Sequence, residues 1–208
     1  MVNQTEINQT KIAKLVQETP KGLVLLSFWL LSKGYSYELQ QRYRKGGWLK
    51  SIGNGAMLKS EDPFLLSGAL SALQTQIGIN IHVGGRSALE LQGKTHYLQL
   101  SSPEATLFAP GRTELPSWLL DNKWDSNFKI SKIGILNDDM LGLTTYRDGE
   151  LEINISNPTR AILECLALAP NDFPLIEAYE LMEGMATLRP NQVQELLENC
   201  KSIKAKRL

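Results

Sequence analysis

Residues 20–59 constrain the fold of this chain more than any other segment. Residues 23–31 are apolar enough to form a buried helix, and Gly34 ends it. Ser36 can then cap a second helix that runs to about Lys45. Two helices separated by a short turn are the beginning of a helix-turn-helix unit.

A β-hairpin is predicted directly after these helices. Residues 48–52 and 56–59 alternate loosely in polarity, and the Gly-Asn-Gly at residues 53–55 favours a tight turn between them. A helix pair followed by a hairpin is the plan of a winged helix-turn-helix domain. In that domain the second helix enters the major groove of DNA, so the pattern predicts a DNA-binding protein.

The charge distribution supports this interpretation. Residues 1–60 contain nine Lys and Arg and three Glu, a net charge of +6. The whole chain has a formal net charge of 0, so residues 61–208 carry −6. Such an asymmetry is typical of a nucleic-acid surface, although a solvated basic face on an ordinary domain gives the same count. Contacts with about six phosphates would give a log–log salt slope of about −5.

The second helix carries the predicted base-reading surface. Leu39 and Tyr43 are four residues apart and should face the core. Glutamine can pair with adenine and arginine with guanine, each through two hydrogen bonds, so a polar stripe of these residues suits base recognition. The alternative is an ordinary solvated helix face, where glutamines are common. The stripe follows helical spacing and consists of Tyr37, Gln40, Gln41 and Arg44.

Further polar residues flank this stripe. Lys45, Lys50 and Lys59 suit contacts with DNA phosphates, which position a protein on the duplex. Asn54, at the tip of the hairpin, can reach the DNA backbone or the minor groove. These residues and the stripe make up the predicted DNA-binding site, and none of them is expected to be catalytic.

Length and composition are those of an ordinary globular protein. A chain of 208 residues with 42% hydrophobic and 21% charged residues can form one large or two small domains. No apolar run is long enough to span a bilayer, and residues 1–10 are too polar for a signal peptide. Cys165 and Cys200 indicate neither a disulfide nor a metal framework, and both histidines, His82 and His96, are expected in strands. We therefore expect a cytoplasmic protein without a cofactor.

The remaining pattern predicts an α+β protein of two domains. They are a winged helix-turn-helix over residues 1–77 and a mixed α/β domain over residues 78–208 that ends in helices. Asp62, before Pro63, should cap the helix that follows. Outside the segment already described, helices are expected at residues 6–18, 64–77, 86–91, 116–120, 157–168, 174–185 and 190–200. Strands are expected at residues 79–83, 96–100 and 105–109, and a meander at 128–136, 141–147 and 150–155.

Gly84 and Gly85, between a predicted strand and a predicted helix, give the strongest enzyme-like signal. Such a turn exposes backbone N–H groups that can bind a phosphate, and residues 84–87 are similar to the Gly-Gly-Ser turn of nucleotidyltransferases. Those enzymes also need a nearby aspartate pair to hold a metal, and residues 94–100 contain no aspartate. The pattern therefore favours a structural strand-to-helix corner.

Several segments also resemble a known family. They resemble the AbiEi antitoxins of type IV toxin–antitoxin systems, densely over residues 20–93 and thinly over 101–151. The matching segments include PKGLVL at 20–25, GYS at 34–36, GWL at 47–49, HVGGRSALELQG at 82–93, SNPTRAILE at 156–164, LRP at 188–190 and KAKRL at 204–208. The resemblance covers most of the chain.

The resemblance implies a bacterial protein of two domains that is not an enzyme. Its winged helix would repress its own operon by binding inverted repeats in promoter DNA. Its C-terminal domain would oppose a separately encoded nucleotidyltransferase-like toxin without forming a stable complex. Arg160, Arg189 and residues 201–207 are basic candidates for that role, and a solvated helix end explains them equally well.

Two other functions stay open at this point. The winged helix can belong to a protein-interaction module that does not bind DNA, with the acidic residues 61–208 as its working surface. The Gly84-Gly85 turn leaves a nucleotide-binding enzyme as the weaker alternative. Binding to the DNA upstream of the coding sequence separates repression from the first alternative. Nucleotide titration in the presence of magnesium tests the second.

Overall fold

A computed structural model describes residues 10–94, 104–109, 111, 113–185 and 188–208. Over these residues the chain has an α+β fold, with a three-stranded antiparallel sheet followed by a five-stranded mixed sheet. The first sheet belongs to a winged helix-turn-helix, and helices follow the second sheet, as the sequence predicts. Within the same ranges, no helix is long and apolar enough to cross a membrane.

The winged helix-turn-helix forms the N-terminal part. In chain order its elements are α1 (Lys11–Glu18), β1 (Leu25–Leu26), α2 (Ser27–Ser32), α3 (Tyr37–Lys45), β2 (Leu49–Gly53) and β3 (Ala56–Lys59). β3 is the middle strand and pairs antiparallel with both β1 and β2. The predictions of α3 with its Ser36 cap and of the β2–β3 hairpin are confirmed.

The helix predicted over residues 23–31 is wrong in its first half. Leu25 and Leu26 form a short strand that pairs with β3, and α2 begins only at Ser27. Both leucines are buried, as is all of β3, because this pairing closes the core of the winged helix. Hydrogen bonds to a strand distant in sequence outweigh the local helix propensity of leucine.

α1 begins at Lys11 rather than at residue 6. Thr10 is extended and its hydroxyl accepts a hydrogen bond from the N–H of Ala13, so Thr10 caps the helix. Residues 6–9 of the predicted helix lie outside the described residues. Leu15 is the buried residue of α1 and anchors this helix to the core.

The next helix starts with a cap that the sequence does not indicate. It is α4 (Leu66–Ala72), which widens into a π-helical turn over Leu73–Ile77. Asp62 does not cap it, contrary to prediction, because its carboxylate accepts the N–H of Gly22 at 2.8 Å. The first N–H of α4 is instead bound by the Asp125 carboxylate at 2.8 Å. A residue from a later loop therefore accepts a hydrogen bond from a backbone N–H that has no partner within the helix.

The C-terminal sheet is mixed. It consists of β4 (His82–Val83), β5 (Ala105–Phe108), β6 (Phe128–Ser131), β7 (Leu143–Asp148) and β8 (Leu151–Ser156) in the spatial order β6-β5-β4-β8-β7. β7 and β8 form a hairpin, but the predicted meander is wrong because β6 lies at the other edge, parallel to β5. Pairing partners distant in sequence, rather than chain order, set the position of β6. The strand predicted at residues 96–100 lies outside the described residues.

Helices cover this sheet and end the chain. They are α5 (Gly85–Leu91), α6 (Ser117–Asp121), α7 (Pro158–Leu168), α8 (Leu175–Glu183), α9 (Pro190–Asn199) and α10 (Ile203–Arg207). α7 is central, since it is buried almost throughout and packs against α5, β8, α8, α9 and α10. Asn157 caps α7, and Pro158 occupies its first turn. The sequence predicts α5 to α9 apart from their ends, and it does not predict α10.

The π-helical turn connects the two sheets. Gln76 donates to the Val24 carbonyl at 2.7 Å and accepts the Leu26 N–H at 2.9 Å, so its amide extends the edge of β1. Gln74 binds β8 by accepting the Asn154 N–H at 2.8 Å, and α4 itself packs on β8. The helix assigned to the first domain thus contacts both parts, and the domain boundary directly after this turn stays a prediction.

Candidate nucleic-acid interface

α3 presents a cationic face to solvent. Ser36 accepts the Leu39 N–H at its start, and basic residues in its last turn complement the helix dipole. Tyr43 is buried and Leu39 partly buried, so this side holds the helix in the core as predicted. The opposite side exposes Tyr37, Gln41, Arg42, Arg44 and Lys45.

The basic side chains of this face are available to a ligand. Arg42, Arg44 and Lys45 form no ion pair and no side-chain hydrogen bond with the rest of the described chain. Glu38, in the first turn of the helix, is exposed as well and is acidic. Exposed, unpaired cations can exchange their counterions for DNA phosphates, so the face has the electrostatics of a DNA-binding surface.

Gln40 does not belong to this face, and that part of the predicted stripe is wrong. Only 2% of its surface is exposed, because its carboxamide forms hydrogen bonds inside the domain. Its Nε2 donates to the carbonyl oxygens of Ser27 at 3.0 Å and Tyr35 at 2.8 Å. Its Oε1 accepts the hydroxyl of Ser27. The side chain joins α3 to α2 and cannot touch a base.

Because Gln40 is buried, the outward face of α3 is centred on a different residue from that of the predicted stripe. Gln41 lies in the middle, one helical turn from both Tyr37 and Lys45. Arg44 lies at one margin, and Arg42, which the predicted stripe omits, lies at the other. The sequence gives only a weak signal for this arrangement, because a glutamine at a core position looks the same as a glutamine on a surface.

Lys50 is not free to bind a phosphate, contrary to prediction. Its Nζ donates to the carbonyl oxygens of Ser60 at 3.0 Å and Asp62 at 2.8 Å. The same ammonium group lies 4.9 Å from the centre of the Phe64 ring, a cation–π contact. Lys50 therefore stabilises the chain that leaves β3.

Lys59 is likewise engaged within the protein. It is buried, and its Nζ donates to the Thr19 carbonyl at 2.8 Å and lies 3.6 Å from the Asp62 carboxylate. The prediction that it contacts phosphates is wrong, because a buried and paired ammonium has no counterion to release. Of the lysines predicted to flank the stripe, Lys45 keeps an exposed side chain.

The wing is held against the C-terminal part of the protein. Asn54 is exposed at its tip, while Gly53 lies so close to Trp118 of α6 that a Cβ there would be 2.6 Å from the Trp118 Cβ. The Asn122 side chain donates to the Ile52 carbonyl at 2.7 Å. These contacts attach the hairpin to the C-terminal part, and its strand β2 also packs against α3.

The Gly84-Gly85 turn binds one of the protein's own carboxylates. The N–H of Gly85 donates to Glu164 Oε2 at 2.8 Å, at the start of α5, where a nucleotide site would hold a phosphate. A Cβ on Gly84 would overlap both Glu164 and Phe108. The anion position is thus filled from within the protein. This geometry is that of a structural corner and gives no support to nucleotide binding.

Glu164 is the centre of a buried ionic cluster. It accepts hydrogen bonds from His82 Nε2 at 2.9 Å, Arg160 Nε at 2.9 Å and the Ser156 hydroxyl at 2.7 Å. Burial alone would raise the pKa of the Glu164 carboxyl, but the charges and hydrogen bonds of His82 and Arg160 outweigh it, and the pKa falls below its ordinary value. Arg160 is 3% exposed and also donates to two backbone carbonyls. Arg160 is therefore not exposed to a toxin, contrary to the role suggested for it from the sequence.

The remaining reactive side chains do not form a site. In the part of the chain that the structure describes, no group of three or more His, Cys, Asp or Glu could hold a metal. Cys165 and Cys200 are buried free thiols, and burial raises the pKa of Cys165. His82 belongs to the cluster around Glu164, and His96 lies outside the described residues.

Comparisons with known proteins agree with this architecture. A family model described as the AbiEi antitoxin N-terminal domain of transcriptional regulators matches residues 8–100. A second, described as transcriptional regulator, AbiEi antitoxin, type IV TA system, matches residues 102–208, and the two confirm the resemblance seen in the sequence. In fold the chain is similar to the crystal structure of the RV2827C protein from Mycobacterium tuberculosis, with a TM-score of 0.56 and 16% identity over 93% of this chain and 71% of that chain. No protein of curated function matches the sequence significantly.

Proposed function

Because the chain belongs to the AbiEi family of antitoxins and transcriptional regulators of type IV toxin–antitoxin systems, we propose that it binds double-stranded DNA through the outward face of α3. It represses its own operon by binding inverted repeats in the promoter. It also counteracts a nucleotidyltransferase-like toxin without forming a stable complex with it. Both activities are non-enzymatic and take place in the cytoplasm.

One observation carries the DNA-binding proposal. Gln41, Arg44 and Lys45 share an exposed face of α3, and the described chain offers their side chains no partner. An exposed face of this charge on the second helix of a helix-turn-helix is suited to contact with the major groove. Asn54 is exposed at the tip of the hairpin, whose strand β2 packs against this helix.

The residues of the face have different roles. Gln41 and Arg44 reach base edges in the major groove, where glutamine favours adenine and arginine favours guanine. Lys45 and Arg42 bind phosphates and supply affinity without sequence preference. Tyr37 lies at the start of the helix and contacts the sugar-phosphate backbone. Asn54 contacts the backbone or the minor groove.

A gel shift with the DNA upstream of the coding sequence tests this proposal. The double variant Gln41→Ala, Arg44→Ala should lose at least about tenfold in affinity, since each good base contact contributes about 1–3 kcal/mol. The matched control Gln194→Ala, Lys129→Ala removes one amide and one cation from exposed positions on α9 and β6 and should bind like the wild type. Equal binding by all three proteins overturns the proposed face. Failure of the wild type to bind supports the protein-interaction module instead.

The antitoxic role rests on the family relationship. Among the residues proposed for it, Arg189 and the residues around α10 keep exposed basic side chains, whereas Arg160 is buried. Co-expression with the nucleotidyltransferase-like toxin that it is proposed to counteract tests the role: growth should be restored by the wild type and by the Gln41→Ala, Arg44→Ala variant. Restored growth with that variant would show that neutralisation does not need the DNA-binding face. A stable complex in a pull-down would contradict the proposed mode of action.

A further inference from the structure

A cavity of about 370 Å³ is lined by residues from the beginnings of α7 and α9. Thr159 belongs to the first turn of α7, Gln192 to the first turn of α9, and Arg189 directly precedes α9. Lys94, which follows α5, lines the same cavity. The volume lies within the range of small-molecule sites, so the cavity can hold a compact ligand.

Thr159 brings two unused hydrogen-bond donors to this cavity. The residue is only 5% exposed, and its hydroxyl forms no hydrogen bond with the described chain. This hydroxyl is not sealed off from solvent, so it opens on the cavity that Thr159 lines. The backbone N–H of Thr159 is also unpaired, because the Asn157 side chain binds the N–H of Arg160 instead. Polar groups buried to this degree normally have a partner, so the two donors point to a ligand.

The surroundings of Thr159 are positively charged. Lys94 and Arg189 are exposed, and neither forms an ion pair or a side-chain hydrogen bond within the described chain. No Asp or Glu of the described ranges lines the cavity. The N-terminal ends of α7 and α9 add partial positive charge to these two cations. The ligand that such a cavity attracts is therefore an anion.

The donors match a phosphate monoester better than a carboxylate. A phosphate monoester carries close to two negative charges at neutral pH and has three strong acceptor oxygens. Lys94 and Arg189 supply two positive charges, and a guanidinium group can bind two phosphate oxygens at once. Thr159 adds an N–H and an O–H donor. A carboxylate has one charge and two oxygens, so it would leave part of this donor set unused.

An apolar wall lies beside the polar groups. Met185 is 7% exposed and Leu188 is partly buried, and both line the cavity. A bare phosphate ion would leave this wall uncovered, whereas an organic group attached to the phosphate would cover it. The combination of a polar base and an apolar wall is typical of sites for small organic molecules.

We propose that this cavity binds a small phosphate ester. Thr159 holds the phosphate group at the buried base, Lys94 and Arg189 neutralise it from the exposed rim, and the organic part lies on Met185 and Leu188. Because Thr159 is buried, the phosphate must enter a recess, which suits a small ester better than the backbone of a duplex. The cavity shares no lining residue with α3 or with the Gly84-Gly85 turn, so this proposal does not rest on DNA binding.

A two-dimensional NMR titration of the ¹⁵N-labelled full chain with phenyl phosphate tests the site. The amide signals of Thr159 and Arg189 should shift most and saturate with a dissociation constant of about 1 mM or below. Inorganic phosphate, which lacks the ring, and benzoate, which carries a carboxylate on the same ring, should each bind at least about tenfold more weakly. Equal affinity for phenyl phosphate and either of them overturns the proposal. Shifts that do not saturate at the cavity overturn it as well.

Two variants test the donors directly. Thr159→Val removes the hydroxyl at nearly constant volume and should weaken phenyl phosphate binding at least about tenfold, as expected for one hydrogen bond to a charged group. Thr159→Ser keeps the hydroxyl and should retain most of the affinity. Lys94→Gln, Arg189→Gln changes two exposed residues, so it should fold, and it should also lose at least about tenfold. Unchanged affinity in either variant overturns the proposal, and the exposed pair decides the question even if Thr159→Val does not fold.

A charge-matched control and a competition with DNA complete the test. Lys123→Gln, Lys129→Gln removes two exposed cations that do not line the cavity and should bind phenyl phosphate like the wild type. The duplex used in the gel shift should not displace phenyl phosphate from Thr159. Displacement would assign the cavity to a DNA phosphate and overturn the proposal. The titration contains no DNA, so failure of this site and failure of the DNA-binding face are distinguishable.

Discussion

The carboxamide of Gln40 is hydrogen-bonded to Ser27, with Nε2 donating to the Ser27 carbonyl at 3.0 Å and Oε1 accepting its hydroxyl. Ser27 in turn donates its backbone N–H to the carbonyl of Gly55 at 2.8 Å, in the turn of the wing. The helix proposed to read DNA and the wing beside it are therefore attached to the same residue. This arrangement sets the orientation of the exposed face, although no atom of Gln40 belongs to that face.

Replacing the two neighbouring glutamines should have opposite consequences. Gln40→Ala leaves buried groups of Ser27 and Tyr35 unpaired and should lower the free energy of unfolding by about 1–3 kcal/mol. Gln41→Ala should change it by less than about 0.5 kcal/mol and instead alter the preference between DNA targets. Urea unfolding and gel shifts with several duplexes measure the two effects. Equal loss of binding to every duplex would contradict a base-reading role for Gln41.

Lys45 and Lys50 should also differ, although both are lysines near α3. Lys45→Ala should weaken binding to all duplexes alike and reduce the log–log salt slope by about 0.9, the contribution of one phosphate. Lys50→Ala should lower stability, because the Nζ contacts with Ser60, Asp62 and Phe64 are lost, and should leave the salt slope unchanged. Titrations at several salt concentrations separate the two. The same slope change for both variants would contradict the positions assigned to them.

Glu164 should make the free energy of unfolding depend on pH in the acid range. Its pKa in the folded state lies below the ordinary value of 4.5, so its ionised form contributes stability above that value, and the contribution is lost as the pH falls through the lower folded pKa. Glu164→Gln places an amide donor among groups that all donate and should cost about 3–5 kcal/mol at neutral pH. The variant should also lose less stability than the wild type between neutral and acid pH. Urea unfolding across this range tests it, with the exposed Glu150→Gln as control. Parallel pH curves for Glu164→Gln and the wild type would be inconsistent with the cluster.

Gly84→Ala should destabilise the protein although the backbone there is extended, with φ at −135°. The added methyl group would overlap Glu164 and the Phe108 ring, and overpacking of this kind costs about 1–3 kcal/mol. Gly46→Ala is the matched control and should cost less, because a Cβ there makes a tight contact at 3.3 Å with the Arg42 carbonyl oxygen and the Trp48 ring but overlaps neither. Thermal unfolding of both variants measures the difference. Equal melting temperatures would show that the Gly84 corner is less tightly packed than described.

The winged helix could be predicted because its signals are local. Gly34, with φ at +85°, and the Ser36 cap lie next to the helix ends that they define, and the glycines of residues 53–55 define the hairpin. Hydrophobic periodicity likewise marks most helices of the C-terminal part. Such features depend on residues a few positions apart, so they can be recognised from the sequence alone.

The errors come from partners that are distant in sequence. Gln40 is buried because Ser27, 13 residues away, and Tyr35 offer it hydrogen bonds, and Lys59 is buried because the Thr19 carbonyl, 40 residues away, accepts a hydrogen bond from its Nζ. The residues adjacent to Gln40 and Lys59 carry no pattern that predicts these hydrogen bonds. For the same reason the sequence does not predict β1 and places β6 beside the wrong strand, since pairing with a distant strand determines both positions.

A double-mutant cycle between Arg44 and the DNA tests the central claim most directly. The operator is prepared with guanine and with 7-deazaguanine, which lacks the N7 acceptor in the major groove, and each duplex is titrated with the wild type and with Arg44→Ala. If Arg44 binds a guanine edge, one duplex position should exist at which each change alone costs about tenfold in affinity and both together cost little more. Fully additive losses at every guanine, or no loss on Arg44→Ala, would contradict the claim that this face of α3 enters the major groove.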